Sequence, residues 1–427
     1  MDLENSKKYL ARAQKVIPSA TQTFSKGPNQ WARGVSPNYL MKGEGAWVWD
    51  VDGNKYLDYL MALGPIILGY GNKRVNDAVK VRVDEGPVFS QMHPLEVEVA
   101  EVLVDLIPCA EMVRFAKNGS DATTGAIRAA RAFTNRERIA FCGYHGWHDW
   151  YIGTTTRDKG VPAAVKELTH TFIYNDIASL ENLLATHKNE FAAIIMEPVG
   201  VEPPKDGFLE NVRELCTKHG TLLIFDEIVS GFRFSLGGAQ EYFGVTPDLA
   251  SFGKAMANGY PLSAIVGRRD VMEIFDEIFF SGTFGGDTIG LAACKATIEE
   301  MREKNVIEHN WSYGNKLLAS IQSLINENDL ADSIKLMGYG VRSIVAFPHK
   351  DDKQSLLRRS YFMQECVKRG LLYFCTNIIC AKHGDAEMSF TLDVLSEVIK
   401  EFANTDKNNN FTEKLYGAPV EQIFRKA

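Results

Sequence analysis

Short apolar runs and helical patterns alternate along the central part of the chain. Residues 112–116 and 138–142 are typical of buried strands, and residues 95–107 and 121–134 carry apolar side chains at helical spacing. The alternation continues from about residue 95 to residue 290. Because parallel strands need helical crossovers, this pattern predicts a large α/β domain with a mostly parallel sheet.

The N-terminal stretch has two different patterns. Leu3, Leu10 and Ala13 are spaced for one face of an amphipathic helix. Residues 43–59 then alternate apolar and polar side chains around the turn pair Asp52-Gly53. Such alternation around an Asp-Gly pair predicts a β-hairpin.

The C-terminal stretch mixes helices and strands. Helical patterns are present at residues 295–306, 315–326 and 392–403, and strand-like runs at 342–347 and 371–375. We expect both ends of the chain to build a second, smaller α/β domain. The predicted limits are 1–60 and 296–427 for the small domain and 61–295 for the large one.

Composition excludes several classes of protein. The chain of 427 residues is 45% hydrophobic and 24% charged, which is ordinary for a globular protein, and its net charge is −7 without a basic run typical of nucleic-acid binding. No apolar run approaches the roughly 20 residues of a membrane span, and the N-terminus lacks the apolar core of a signal peptide. The seven cysteines follow no metal-binding pattern. We expect a cytoplasmic protein without metal, nucleic acid or membrane.

Residues 116–131 are the first stretch with possible chemistry. A strand runs into Asn118, Gly119 and Ser120, and a helix follows. Helix N-termini present unpaired N–H groups, glycine allows close approach, and the two side chains add donors, so the stretch could hold a phosphate. The alternative is an ordinary helix start capped by Ser120 or Asp121.

Residues 141–151 form an aromatic stretch after a strand. Tyr144 could stack on a planar cofactor. His145, His148 and Asp149 lack a further well-spaced ligand, so a structural aromatic cluster is favoured over a metal site.

An acidic pair ends the apolar run that begins at residue 221. Asp226 would lie at the carboxyl end of a parallel strand, where α/β sheets bind ligands, and could pair with a protonated ring nitrogen. Ile228, two residues on, would point to the same side and could pack on a ring face. A solvated Asp-Glu turn formed by Asp226 and Glu227 is an equally good interpretation.

Lys254 stands among small residues in the segment FGKAMANGYPLS. Free lysine, with a pKa of about 10.4, is a weak nucleophile at neutral pH, but bond formation with a carbonyl cofactor removes that handicap. Thr283 precedes a Gly-Gly turn and a helix, where its hydroxyl and N–H could bind an anion. Taken alone, Lys254 is more typical of a surface cation and Thr283 of a helix start.

The whole set is more informative than its members. Pyridoxal 5'-phosphate requires this set of partners. Its phosphate needs a helix start and its ring an aromatic side chain, while its pyridine nitrogen needs an acid and its aldehyde a lysine. The sequence therefore favours this cofactor. A non-catalytic α/β protein that binds a phosphate ligand is the alternative.

In this order, the motifs resemble those of class III aminotransferases, within fold type I of the pyridoxal-phosphate enzymes. Residues 48–72, KNGSDATTGAIRAAR, YHGWHD, MEPVG, FDEIVSGFR, TPDLASFGKAMANGYPLSAIVG and SGTFGGD follow the family order. The branch that the chain resembles is the glutamate-1-semialdehyde 2,1-aminomutase type. The resemblance runs over nearly the whole chain.

The resemblance implies roles for single residues. Lys254 would form the covalent link to the cofactor, Asp226 would pair with its ring nitrogen, and Asn118, Gly119 and Ser120 would hold its phosphate. Tyr144 and Ile228 would lie on opposite faces of the ring, and Glu197 would lie near the substrate. Thr283 would reach the phosphate in the neighbouring subunit, which implies a homodimer with active sites at the interface.

The chain departs from the aminomutase branch where that branch binds the substrate carboxylate. Lys26 stands at the place of the branch's arginine, and lysine cannot make the two-pronged arginine grip. Residues 375–403 also contain no arginine. We therefore expect an aminotransferase that uses an amino donor and a carbonyl acceptor, such as a sugar-derived or other hydroxylated aldehyde or ketone. A 1,2-aminomutase is the second hypothesis.

Overall fold

The computed structural model describes residues 2–421, which form two compact units. Residues 64–66 and 73–307 form the central unit, and residues 2–63, 67–72 and 308–421 form the terminal unit. The domain limits expected from the sequence, at residues 60 and 295, stay a prediction.

Both units contain strands and helices, each numbered in chain order. The strands are β1 (Leu40–Glu44), β2 (Trp47–Asp50), β3 (Lys55–Asp58), β4 (Met112–Ala116), β5 (Arg138–Cys142), β6 (Thr169–Thr171), β7 (Phe191–Met196), β8 (Leu222–Asp226), β9 (Leu249–Phe252), β10 (Ser263–Gly267), β11 (Lys335–Tyr339), β12 (Arg342–Ala346), β13 (Leu371–Leu372) and β14 (Thr376–Ile378). The α-helices are α1 (Glu4–Val16), α2 (Lys73–Glu85), α3 (Pro94–Leu106), α4 (Gly119–Thr134), α5 (Asp149–Ile152), α6 (Ala163–Lys166), α7 (Ile177–Thr186), α8 (Phe208–His219), α9 (Ala239–Phe243), α10 (Arg269–Met272), α11 (Thr288–Glu303), α12 (Val306–Glu327), α13 (Asp352–Lys368), α14 (Asp385–Asn408) and α15 (Phe411–Lys414). Short 3₁₀ helices span Pro18–Ala20, Phe24–Lys26, Met61–Leu63, Lys254–Ala257 and Glu273–Asp276.

The central unit is built on a seven-stranded sheet in the order β4-β10-β9-β8-β7-β5-β6. Strands β9, β8, β7, β5 and β6 are parallel, and β10 is antiparallel to both of its neighbours. The sheet is therefore mostly parallel, as predicted. All residues of β7 and β8 are buried, which explains why their sequences are continuous apolar runs.

The parallel strands bring their carboxyl ends to one edge of this sheet. Asp226, the last residue of β8, is paired with Ser251 of β9, and Met196 ends the other neighbour, β7. Lys254 follows β9 after a single intervening residue. Ligands of open α/β sheets bind at this edge, so the sheet places the predicted site residues together.

The terminal unit contains two smaller sheets, β1-β2-β3-β13 and β11-β12-β14. The predicted hairpin joins β2 to β3 in antiparallel register. Its turn is held by the Asp50 carboxylate, which accepts the N–H groups of Asp52 and Asn54 at 3.0 and 2.8 Å. Gly53 has φ 87°, a conformation that favours glycine, so the Asp-Gly pair did mark the turn.

Candidate active site

The start of α4 leaves backbone donors unused. The Asp121 carboxylate accepts the N–H of Asn118 at 2.8 Å and its side-chain amide at 3.3 Å, which fixes the helix start. Among residues 2–421, the N–H groups of Gly119 and Ser120 have no acceptor. Since such groups lie at the positive end of the helix dipole, the start of α4 suits an anion such as phosphate.

Asp226 is buried beside a histidine. Its carboxylate accepts the N–H of Ile228 at 3.1 Å through one oxygen, and its other oxygen lies 2.8 Å from Nδ1 of His145. Nε2 of His145 lies 3.1 Å from the carbonyl oxygen of Cys142, which can only accept, so Nε2 carries a proton. The ring is therefore fixed at both nitrogens and holds the carboxylate in place.

His145 is a residue of the candidate site whose contact with Asp226 the sequence did not reveal. It is separated from Asp226 by 81 positions, and the sequence placed it only in a structural aromatic cluster. The cluster exists, because His145 stacks at 6.1 Å on Trp150. No local pattern pointed to the contact with the acid.

Glu227 turns away from Asp226 into the protein. It is fully buried, and its carboxylate accepts the N–H groups of Ala239 and Gln240 at 2.8 and 2.9 Å. The Ser230 hydroxyl donates to it at 2.5 Å. Burial raises the pKa of Glu227. The interpretation as a solvated Asp-Glu turn is therefore wrong. Glu227 accepts hydrogen bonds from the segment that follows, and Asp226 lies buried at the edge of the sheet.

Ile228 lies between the two loops that carry the helix start and the lysine. A Cβ atom at Gly119 would meet three side-chain atoms of Ile228 at 3.1 to 3.2 Å, and one at Gly253 would meet its Cδ1 at 3.1 Å. Ile228 therefore packs against backbone on both sides. These contacts bring residues 119, 228 and 253 close together.

Lys254 begins the 3₁₀ helix after β9 and is partly buried. Its φ is 44°, in the left-handed region that non-glycine residues rarely occupy. Such a conformation costs on the order of 1 kcal/mol or more and is concentrated at functional sites. The strain is consistent with a lysine placed for a purpose other than solvation.

The loop after β5 brings Tyr144 and Glu197 into contact. Glu197 accepts the N–H of Tyr144 at 3.0 Å, and the Tyr144 ring packs edge-to-face on Tyr151 at 5.5 Å. The same loop lies against the start of α4, since a Cβ atom at Gly146, φ 105°, would lie 2.3 Å from Oγ of Ser120. The structure therefore joins the aromatic loop to the predicted phosphate site.

Two predicted residues are not brought into this group. Thr283 lies on an exposed turn before α11, and no hydrogen bond links it to the other site residues within the described chain. Lys26 is an exposed residue of the terminal unit. Their roles stay predictions.

The assembled residues fit pyridoxal phosphate. Unused N–H groups and the Ser120 hydroxyl suit its phosphate, and the buried acid suits a protonated ring nitrogen. Ile228, which packs against both loops, could cover one face of a flat ring, and Lys254 supplies the amine. Within residues 2–421, no group of three metal-binding side chains lies together, and no helix is long and apolar enough to cross a membrane. Fold and site together define a fold type I pyridoxal-phosphate enzyme.

Comparison with known proteins identifies the family. Residues 31–380 match the family model "Aminotransferase class-III", and the chain belongs to this family. It is 37% identical to the 3-aminobutyryl-CoA aminotransferase of Cloacimonas acidaminovorans over 414 residues, 94% of this chain and 98% of the relative. It is 36% identical to a glutamate-1-semialdehyde 2,1-aminomutase of Alkaliphilus oremlandii over 433 residues, 93% of this chain and 99% of the relative.

Solved structures agree with this assignment. The FumI protein of Sphingopyxis sp. MTA144, solved with pyridoxal phosphate, superposes with a TM-score of 0.88 and 26% identity over 95% of this chain and 98% of that one. An omega-transaminase from Sphaerobacter thermophilus superposes with a TM-score of 0.85 and 26% identity over 93% of this chain and 98% of that one. The predicted family, fold type, cofactor and enzyme class, a transaminase or aminomutase, are confirmed.

Proposed function

We propose that this protein is an aminotransferase that uses the site at the edge of the central sheet to move an amino group from an amine to a carbonyl acceptor. One observation carries the proposal: Asp226, fixed by His145, lies on the strand next to the one that leads into Lys254. A buried acid beside a lysine is the arrangement that pyridoxal-phosphate chemistry requires.

Each residue has a defined task in this mechanism. Bound pyridoxal phosphate supplies an aldehyde that takes up the amino group and a protonated ring that draws electrons from the amine-bearing carbon. Asn118, Gly119 and Ser120 would bind the phosphate, and Asp226 would keep the ring nitrogen protonated. Nδ1 of His145 lies 2.8 Å from the Asp226 carboxylate, and this contact prevents the acid from turning away.

The remaining site residues position the ring and the substrate. Tyr144 and Ile228 would lie on opposite faces of the ring, and Glu197, which accepts the N–H of Tyr144, would lie near the substrate. Lys254 would hold the cofactor through its Nζ, and the same amine would move the proton at the amine-bearing carbon of the substrate.

The substrate class follows from what the chain lacks. Residues 375–403 contain no arginine, and lysine replaces arginine at position 26, so no planar two-pronged grip on a carboxylate is available at either place. The 37% identical relative is named for 3-aminobutyryl-CoA, in which the carboxyl group is a thioester. We therefore propose a β-amino acyl thioester and its 3-oxo counterpart as the exchanging pair. Sugar-derived and other hydroxylated carbonyl compounds are the second arm of a substrate screen.

A 1,2-aminomutase is the second candidate. Glutamate-1-semialdehyde 2,1-aminomutases with 34–40% identity are among the relatives of the chain. A steady-state assay separates the two activities, because an aminomutase turns over one substrate alone and a transaminase requires a donor and an acceptor. Turnover of a single amino aldehyde without an acceptor would favour the mutase.

We also propose a homodimer. Thr283 lies on an exposed turn with Phe279 and Phe284, whose exposed fractions are 82% and 60%, and a second copy would cover these rings. Thr283 would then reach the partner's phosphate. Mixing Thr283→Ala with Lys254→Ala subunits tests this, because mixed dimers would regain one complete site and activity above either variant alone. The predicted cytoplasmic location stays a prediction.

Reduction with borohydride tests the mechanism. The wild-type protein should absorb visible light, and borohydride should fix the cofactor on Lys254, as peptide mapping would show. Lys254→Ala should lose the fixed cofactor, whereas Lys117→Arg, a matched change at a neighbouring partly buried lysine, should keep it. A colourless protein, or a label on another lysine, would contradict the mechanism and favour a non-catalytic phosphate-binding protein.

A further inference from the structure

A cavity lies beside α4, outside the group of predicted site residues. Its volume is about 460 Å³, within the range of small-molecule sites. Arg128 and Arg131 of α4 line it together with Trp147 and His148 of the loop after β5 and with Asp149, the first residue of α5. None of the tasks proposed above uses these side chains.

The cavity has two guanidinium groups without ionic partners. Arg128 donates to the carbonyl oxygen of Phe279 at 2.6 Å, and Arg131 donates to that of Glu137 at 2.8 Å. Neither forms an ion pair with a carboxylate in the described chain, and Asp149 is the single acid among the lining residues. Burial lowers the pKa of Arg131, and the negative charge of Glu137, which raises the pKa, offsets this effect only in part. The cavity therefore favours an anionic ligand.

Trp147 gives the cavity an aromatic wall. Its side chain is 67% exposed, which is unusual for the largest apolar residue. Its ring meets only the edge of His148, at 4.6 Å and 86°, in the described contacts. An exposed indole beside two guanidinium groups is suited to a ligand that combines a flat heterocycle with phosphates.

The cavity is connected to the proposed active site through Ser120. The N–H of Trp147 donates to Oγ of Ser120 at 3.3 Å. Along α4, at about 1.5 Å per residue, Thr124 lies about 6 Å from Ser120 and Arg131 about 17 Å away. The cavity thus begins one helical turn from the predicted phosphate site and extends away from it. A substrate with a long flexible arm could occupy both places.

We infer that this cavity binds the nucleotide end of an acyl-coenzyme A substrate, with its phosphates at Arg128 and Arg131 and its base on Trp147. The inference rests on the proposed function, since it assigns a place to the part of the thioester that takes no part in the reaction. In this arrangement, the charged nucleotide end of the substrate is bound at a distance from the reacting carbon.

Calorimetric titration with ADP tests the cavity without turnover. Arg128→Gln should weaken binding about tenfold or more, because a charge-assisted hydrogen bond contributes about 1.5–3 kcal/mol. Trp147→Ala should weaken it as well. Arg114→Gln is the matched control: Arg114 donates to the next carbonyl along, that of Phe280, at 2.8 Å, but does not line the cavity. Absence of ADP binding at millimolar concentration, or equal losses in the two arginine variants, would overturn the inference.

Kinetics on the holoenzyme then test the link to the substrate. Arg128→Gln should raise KM for a 3-oxoacyl-coenzyme A about tenfold and leave KM unchanged for the same acyl group on a short thiol that lacks the nucleotide. Unchanged KM for both thioesters would overturn the inference. If the wild-type enzyme accepted neither thioester, the proposed substrate class would fail, whereas calorimetry would still report on the cavity by itself.

Discussion

Replacing Gly119 with alanine tests whether Ile228 sets the width of the proposed cofactor site. The added Cβ would meet Cδ1, Cγ2 and Cγ1 of Ile228 at 3.1 to 3.2 Å, closer than ordinary van der Waals contact. Ile228 has little room to retreat, because it also packs against the backbone of Gly253. The side chain would therefore move into the space proposed for the ring.

The expected penalty follows from overpacking. Inserting a methyl group into a close-packed space costs about 1–3 kcal/mol, which corresponds to a loss in cofactor affinity of roughly 5- to 160-fold. Alanine also stabilises a helix relative to glycine by up to about 1 kcal/mol, which opposes this loss. A double-mutant cycle with Ile228→Ala removes the helix contribution, because it is present in both backgrounds.

The assay is the dissociation constant of pyridoxal phosphate, followed by absorbance or fluorescence on the four proteins of the cycle. Gly119→Ala should weaken binding in the wild-type background and be neutral or favourable when residue 228 is alanine. Gly200→Ala serves as the control, since a Cβ there has no neighbour within 4 Å. Additive effects, within about 0.5 kcal/mol, would refute the contact as the cause.

Three further changes test other parts of the structure. Asp226→Asn should retain the fold and reduce turnover at least 100-fold, because a neutral amide cannot stabilise the positive charge of a protonated ring nitrogen. Measurements of kcat and of circular dichroism check this prediction, and near-normal activity would contradict the assignment. His145→Phe removes the ring nitrogen that lies 2.8 Å from the buried acid. It should lower kcat about tenfold or more and shift the pH profile, while a change in stability alone would point to a structural role. His383 accepts the N–H of Cys380, and burial lowers its pKa to about 4. Since the unfolded chain takes up this proton near pH 6.5, stability should fall by roughly 3 kcal/mol as the pH drops from 6.5 to 4, and denaturant unfolding of His383→Gln should show a smaller loss.

The sequence predicted the elements well where their periodicity is strong. The run at 138–142 is β5, and the helical pattern at 121–134 lies within α4. Element ends were less accurate: the strand-like run at 371–375 contains β13 only at Leu371–Leu372. The apolar run from residue 221 ends in the acidic pair, and β8 ends at Asp226. The following residues leave the sheet because Glu227 binds the N–H groups of Ala239 and Gln240, contacts between distant parts of the chain.

The residues of the candidate site could be predicted from the sequence, but the contacts between them could not. Asn118 and Asp226 were identified because each lies at the end of a predicted strand, and Lys254 because it stands among small residues. The contact between His145 and Asp226 could not be predicted, since either residue alone has an ordinary explanation. The cavity beside Trp147 was missed for the same reason.

The sequence by itself determined which reactive side chains this protein has and where several of them follow predicted strands. It could do so because apolar periodicity and glycine positions are local properties of the chain. Only the tertiary structure decided which groups are buried and paired. Asp226 is enclosed beside His145, Glu227 points into the core, and Arg128 and Arg131 are left without acid partners in the described chain. Burial and pairing depend on residues that are distant in sequence, and they decide whether a polar side chain supports the fold or remains available to a ligand.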